Sequence, residues 1–386
     1  METRLSWNVK RAILIAIAAV LCLPLVRLAL DEWTPKPEVD WNGKAWNARK
    51  GLVARAHVFV SPLPAIPSLD LSRPPADPNP LDPAAPLECR FVPKPLTGTT
   101  PKFDCRLATG EVIKVKYGRT PERLGEVAAT RLLAALGFGA DHMSLVPKVT
   151  CVGCPPFPFQ MRRVADAFFA APLLELVTFR NQTWEFTWPS IERKMPGRAI
   201  EVPPHAGWDW NELPSIEPAN GGATRAELDA LRLIAMFLSH WDNKAINHRV
   251  VCEDGAGGTD PSAPCQAPLL MLQDVGATFG PTKVQHAEWA AMPIWADAGT
   301  CVVSFEKLPY HGGNFTPIQI SEGGRALIAD RLRQLSEAQI RTLFQSARFP
   351  DPATGVENGD VTMWVRAFQD KVRQIADRPA CPPLPK

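Results

Sequence analysis

The pattern that most constrains this 386-residue chain runs from Thr224 to Gly280. It reads "TRAELDALRLIAMFLSH", then "WDNKAINHRVVC", a Gly-rich stretch, and "PLLMLQDVGATFG". Leu228, Leu231, Ala235 and Leu238 recur at helical spacing behind Thr224, which is positioned to cap the amphipathic helix they form. "RVVC" and "PLLML" are short apolar runs of strand length. Helix, polar loop and hairpin therefore follow in order. They bring His240, Asp242, Lys244, Asn247 and Arg249 to the same end of one hairpin as Asp274. An amide oxygen and a carboxylate beside a second carboxylate are the hard donors that a Mg²⁺ ion takes when it keeps several waters and also binds phosphates. Taken singly, His240 at a helix end reads as structural support and Asp242 as a turn former. The ordered combination is what points to a site.

Upstream, "ECRFVPKPLTGTTPKFDCRLATGEVIKVKYG" alternates apolar and polar residues around an "ATG" turn, predicting antiparallel strands that end with Lys114 and Lys116 on one face. "TPERLGEVAATRLLAALGFG" predicts a helix with Thr120 as N-cap, Pro121 in the first turn and Gly137 as the stop. Mixed strand and loop follow, including "IERKMPG", whose Arg193 and Lys194 read equally well as an exposed basic strand or as a substrate contact. Further helices are expected behind Ser336 and Asp360. The fold class is thus α+β: a small β-rich lobe with one main helix over 88–200, and a larger, mainly helical lobe over 201–386. Between the N-terminal segment and this body, residues 31–87 form a Pro-rich linker, densest from Ser61 to Pro86, of a composition that extends instead of packing.

The N-terminus carries Arg4, Lys10 and Arg11 before the apolar run Ala12–Val26, the layout of a secretory signal. "RLAL" after it lacks a clean small-residue cleavage site, so residues 1–30 read either as a cleaved leader or as an anchor through residues 12–30. The protein is expected outside the cytoplasm, in a periplasm, a secretory lumen or the medium. Nine cysteines become eight once Cys22 is assigned to the leader, an even number suited to an oxidising compartment. Local staples are expected at Cys89–Cys105, Cys151–Cys154 and Cys252–Cys265, with Cys301–Cys381 as the long one. "CVGC" lacks a second ligand pair for zinc and runs straight into Pro155 and Pro156, so a structural bridge is favoured over metal or redox chemistry. A formal net charge of only +2, with no polybasic arm, gives no reason to expect nucleic acid as a partner.

The spacing H-x-D-x-K-x-x-N followed by D-x-G resembles the protein-kinase-like superfamily, whose catalytic loop reads H-R-D-x-K-x-x-N and whose metal-binding turn reads D-F-G. Here "HWDNKAIN" and "DVG" stand in those places. The resemblance implies a bilobal kinase-like fold. It implies Asp242 as the base that orients and accepts the proton of an attacking hydroxyl, Lys244 as support for the transferring phosphoryl, and Asn247 with Asp274 as holders of Mg²⁺ or Mn²⁺. Lys116 would contact the phosphates of ATP and pair with Glu126 on the following helix, with Lys114 as rival for the lysine. "DVGATFG" is more similar to the D-x-G-x-x-F-G of secretory-pathway kinases of the Golgi casein kinase type than to the turn of cytosolic kinases. Trp241 replaces the usual Arg, no G-x-G-x-x-G is present, "LTGTT" around Gly98 is the only candidate substitute for it, and no A-P-E follows the metal turn.

These readings make the chain an exported phosphotransferase with a protein or glycan hydroxyl as acceptor. Outside a bacterial cytoplasm the supply of ATP is the main objection. Three rivals stand beside it: a kinase-like enzyme that moves AMP, a pseudokinase acting as a binding or allosteric module, and a disulfide-rich binding domain with no nucleotide pocket.

Overall fold

In a computed structural model the described residues are Cys22, Leu23, Val26 and 38–384, apart from 76, 97, 169–181, 255–259, 283, 350 and 352–359. The expected leader or anchor thus lies almost wholly outside the described residues. Among those described, no helix is long and apolar enough to cross a membrane.

The fold is α+β. Strands β1 (Leu87–Val92), β2 (Lys102–Arg106) and β3 (Val112–Lys116) follow a first helix, α1 (Lys44–Val53). Helix α2 (Glu122–Ala135), β4 (His142–Leu145), β5 (Lys148–Val152), α3 (Pro158–Ala167), β6 (Thr183–Thr187), β7 (Ser190–Arg193) and the short β8 (Arg198–Ala199) come next. Then follow α4 (Arg225–Leu238), β9 (Asp242–Asn243), β10 (His248–Cys252) and β11 (Pro268–Leu272). The remainder is mainly helical: α5 (His286–Ala291), β12 (Val302–Val303), β13 (Gly312–Gly313), β14 (Ile318–Gln319), α6 (Glu322–Arg333), α7 (Glu337–Ser346) and α8 (Val361–Ala376). A β-rich portion is followed by a larger, mainly helical one, as the α+β reading expects. The chain forms two compact units that interleave, one comprising 86–116 and 148–187 and the other 38–85, 117–147 and 188–386.

In the smaller unit the strand order is β3-β2-β1-β5-β6. Neighbours are antiparallel except β1 and β5, which are parallel. Leu107 and Gly110 close the β2–β3 turn, where Gly110 sits at φ 88°, as the "ATG" signal requires. Phe103 fills the centre of the sheet against Phe186, with ring centroids 4.9 Å apart. Cys89–Cys105 staples β1 to β2, and Cys151–Cys154 closes the turn after β5.

The larger unit is built round α4, which is buried along nearly its whole length. Thr224 Oγ1 accepts from the Glu227 N–H, and the Glu227 carboxylate accepts from the Thr224 N–H at 2.6 Å, completing the capping box. Asp229, fully buried on α4, is balanced by Arg225 at 2.8 Å and Arg232 at 2.9 Å and also accepts from the Ser321 N–H, which seats α6. Helix α2 belongs to this unit and packs on β4. An added Cβ on its Gly125 would lie 3.0 Å from the Gly276 carbonyl, so glycine is what lets the helix approach the turn after β11 this closely. Helix α2 also starts differently from expectation: Pro121 occupies the cap position, and no Thr120 cap bond forms.

The segment read as a linker differs most. Residues 38–85 belong to the larger unit; α1 buries Trp46, Leu52 and Val53, and the Pro-rich stretch buries Ile66 and Leu71. Proline removes donors but leaves carbonyls. Those of Ile66 and Leu69 accept from Gln339 at 2.8 and 3.0 Å, and that of Leu71 from Arg131, so polar side chains of α7 and α2 replace a backbone ladder. The chain at His57 also pairs with β11 through bonds to Pro268 and Leu270.

Candidate active site

Ser239 ends α4 in the left-handed region, at φ 57°, and turns the chain sharply into the polar loop. Five hydrogen bonds then fix the loop. The Asn243 amide donates to the carbonyls of His240 and Trp241 at 3.1 and 3.3 Å. The Asn247 amide donates to the Asp242 carbonyl at 2.6 Å. The Asn247 carbonyl accepts the N–H groups of both Gln273 and Asp274, each at 2.9 Å. Asp242, Asn247 and Asp274, separated by up to 32 residues in sequence (274 minus 242), are thereby brought together through one asparagine. Lys244 Nζ lies 2.7 Å from Asp242 Oδ1. Asp274 and Lys244 are exposed, while Asp242 and Asn247 are half-buried.

β10 and β11 pair in register from His248 opposite Leu272 to Cys252 opposite Pro268, and Cys252–Cys265 closes the insertion between them. Beyond Asp274, Phe279 donates its N–H to the Leu238 carbonyl at 2.8 Å and buries its ring among Trp289, Phe344, Phe349 and Trp364. The D-x-G-x-x-F-G spelling thus has a local physical meaning: the aspartate is presented to solvent by a turn whose far end is anchored in the core.

His240 is fully buried, as its reading as structural support expects, and faces the equally buried His248 with Nε2 atoms 3.4 Å apart. His248 Nδ1 donates to the Trp208 carbonyl at 2.8 Å, and its ring stacks on the Trp208 indole at 4.2 Å. A neutral His248 then has only a lone pair on Nε2, so His240 must donate there. Burial pushes both imidazoles down to about 3.

The sequence reading missed the partner strand of the loop. Gly312 and Gly313 of β13 run parallel to Asp242 and Asn243, and the Gly312 N–H bonds to the Trp241 carbonyl at 2.9 Å. A Cβ on Gly312 would stand 2.6 Å from Asp242 Oδ1 and 2.7 Å from Lys244 Cε, so a side chain there would displace the acid and the lysine from their present places. Tyr310, exposed, approaches Trp241 with ring centroids 6.0 Å apart. The "YHGGN" spelling carries a two-glycine signal, but nothing local ties it to a loop some seventy residues earlier.

Lys116 ends β3 in the smaller unit and Glu126 lies on α2 in the larger; both are buried. Lys114 is half-buried on the same strand. Glu122, one turn before Glu126, is the acid against the metal turn, its Cγ lying 2.7 Å from where a Cβ on Gly276 would stand. Arg193 and Lys194 are engaged internally: Arg193 reaches Asp77 at 3.3 Å, and Lys194 reaches Asp141 at 3.0 Å and Glu192 at 2.6 Å.

The donor set fits a hard divalent cation. The Asn247 amide nitrogen is committed to the Asp242 carbonyl, which leaves the amide oxygen as the donor, and the exposed Asp274 carboxylate is joined to the same residue. No protein-family model matches the chain. None of the curated proteins matches it either. Among solved structures, the Helicobacter pylori proinflammatory kinase CtkA is similar at 10% sequence identity and a TM-score of 0.40, over 75% of this chain and 94% of that one.

Proposed function

We propose that the chain is a phosphotransferase that moves phosphoryl from ATP, with Mg²⁺ or Mn²⁺, to the hydroxyl of a protein or glycan acceptor. The observation that carries this reading is the convergence of Asp242, Asn247 and Asp274 through the carbonyl and amide of Asn247. Asn247 and Asp274 would hold the ion, which would bridge and neutralise the nucleotide phosphates. Asp242 is the base, with Lys244 Nζ 2.7 Å from its Oδ1. As the acceptor hydroxyl loses its proton to Asp242, Lys244 is placed to turn its charge toward the transferring phosphoryl. Glu122 of α2 lies close to the Gly276 turn that follows Asp274. Positioning and fixed charge supply most of the rate in such transfers.

Four disulfides, Cys89–Cys105, Cys151–Cys154, Cys252–Cys265 and Cys301–Cys381, suit an oxidising compartment and support an exported enzyme. Kinship with the secretory-pathway kinases rests on these bridges and on the spelling of the metal turn. The test is a thermal melt of the full chain with and without ATP plus Mg²⁺ or Mn²⁺, repeated on Asp274→Ala. A ligand that binds only the folded state raises its stability, by about 2.7 kcal/mol at a hundredfold excess over Kd. The wild type should gain and the variant should not. Equal behaviour of the two proteins, or no shift in either, rejects the reading.

A further inference from the structure

A second group of chemistry-bearing side chains lies in the larger unit, away from Asp274. His205, Asp209 and Glu212 bring one ligand atom each to within 4.8 Å of one another. They border a cavity of about 650 Å³ whose other wall is formed by Trp41 and Trp46. The arrangement is built. The His205 ring packs edge-on against Trp46 at 5.1 Å and Trp41 at 5.8 Å. Its Nε2 is inaccessible to solvent and has no hydrogen-bond partner among the described residues. A buried ring nitrogen without a partner is the kind of group that a bound ion satisfies.

The carboxylates are held as well. Arg49, fully buried, grips both oxygens of Glu212 at 2.5 and 3.1 Å, and Glu212 in turn accepts the Asp209 N–H at 2.8 Å. A carboxylate offers about four lone-pair sites, so Glu212 retains acceptor capacity beyond these bonds. The Arg49 charge makes it the weakest of the three ligands, with His205 and Asp209 the main ones. We propose that His205, Asp209 and Glu212 bind a divalent transition cation of the zinc type, with the cavity side open to water or a further ligand. One imidazole with carboxylate oxygens suits zinc, whose tetrahedral bonds of about 2.0–2.2 Å require the three atoms to close to about 3.4 Å of one another.

The site would have a consequence for the loop. Gly207 lies between His205 and Asp209 at φ 75°, and a Cβ there would collide with the carbonyls of Ala245 and His248. A cation joining the residues on either side of Gly207 would pin this turn against the catalytic loop. The inference does not depend on nucleotide, which separates it from the reading above.

The test is a zinc titration of the full chain after removal of metals, without nucleotide, read by calorimetry and by the thermal midpoint. The wild type and Asp274→Ala should each bind one equivalent and melt at a higher temperature. His205→Ala and Asp209→Asn should bind more than about 100-fold more weakly, beyond the 10- to 100-fold that outer-shell changes produce. Retention of wild-type affinity by either variant overturns the assignment, as does the absence of zinc binding by the wild type. Should His205→Ala fail to fold by circular dichroism, the half-buried Asp209→Asn decides.

Discussion

At the scale of single residues, the loop depends on two imidazoles that carry no charge. His240 and His248 are fully buried beside each other, and the chain between them holds Asp242, Lys244 and Asn247. Their folded-state pKa is depressed to about 3, while in the unfolded chain each titrates near the ordinary imidazole value of about 6.5. Above the unfolded value neither state binds protons there, so stability does not change with pH. As pH falls below it, the unfolded state gains protons that the folded state refuses. Stability should therefore fall by up to about 1.4 kcal/mol per pH unit for each ring, from about pH 6.5 downward. Two of the seven histidine rings should show no titration shift by NMR between pH 7.5 and 5. If all seven titrate normally, the buried pair is wrongly assigned. The sequence identified His240 as support but could not identify its partner, because His248 reads locally as the first residue of a strand.

At the scale of elements, the site is a junction of α4, the β10–β11 hairpin and the turn that follows it. The N-terminus of α4 is secured by a local device and the turn by a core one, and the two should respond differently to mutation. Thr224→Ala removes a cap and should cost about 1 kcal/mol. Phe279→Ala empties a place among Trp289, Phe344, Phe349 and Trp364, and should cost about 3–5 kcal/mol. Chemical denaturation at neutral pH gives both numbers, and a Phe279→Ala cost no larger than that of Thr224→Ala would show that the ring is not the anchor. Phe279 in "DVGATFG" was legible as part of a family spelling, but its burial partners come from helices far along the chain. The same holds for β13: glycines at 312 and 313 are visible in the sequence, whereas their neighbours, Asp242 Oδ1 and Lys244 Cε for the first and the Asn243 carbonyl for the second, are visible only in space.

For the whole molecule, the disulfides divide into local and distant staples. Cys301–Cys381 spans 80 residues, Cys89–Cys105 and Cys252–Cys265 span 16 and 13, and Cys151–Cys154 spans 3. Loop-closure entropy makes the first worth about 4.5 kcal/mol, the middle pair about 3 and the last about 2. Replacing each pair by serines should lower the thermal midpoint in that order. A loss of the short bridge that costs as much as loss of the long one would mean that native-state packing, not chain entropy, sets their worth. All four pairings followed from sequence spacing, since residues close in the chain meet with little cost and the last two cysteines had only each other.

What the sequence determined by itself was periodic or local: the capped α4, the polar loop after it, the hairpin, the helices behind Ser336 and Asp360, and the cysteine pairs. These follow from side-chain periodicity, capping chemistry and short loop closure, which act within a few turns of chain. Tertiary structure decided where residues 38–85 go, that α2 packs on the turn at Gly276, that β13 covers the loop, and that His205 meets Asp209 and Glu212. A Pro-rich segment has no period to read. Its place is set by carbonyls that find donors on helices 60 to 273 residues away, and by two apolar side chains that a composition count cannot distinguish from linker.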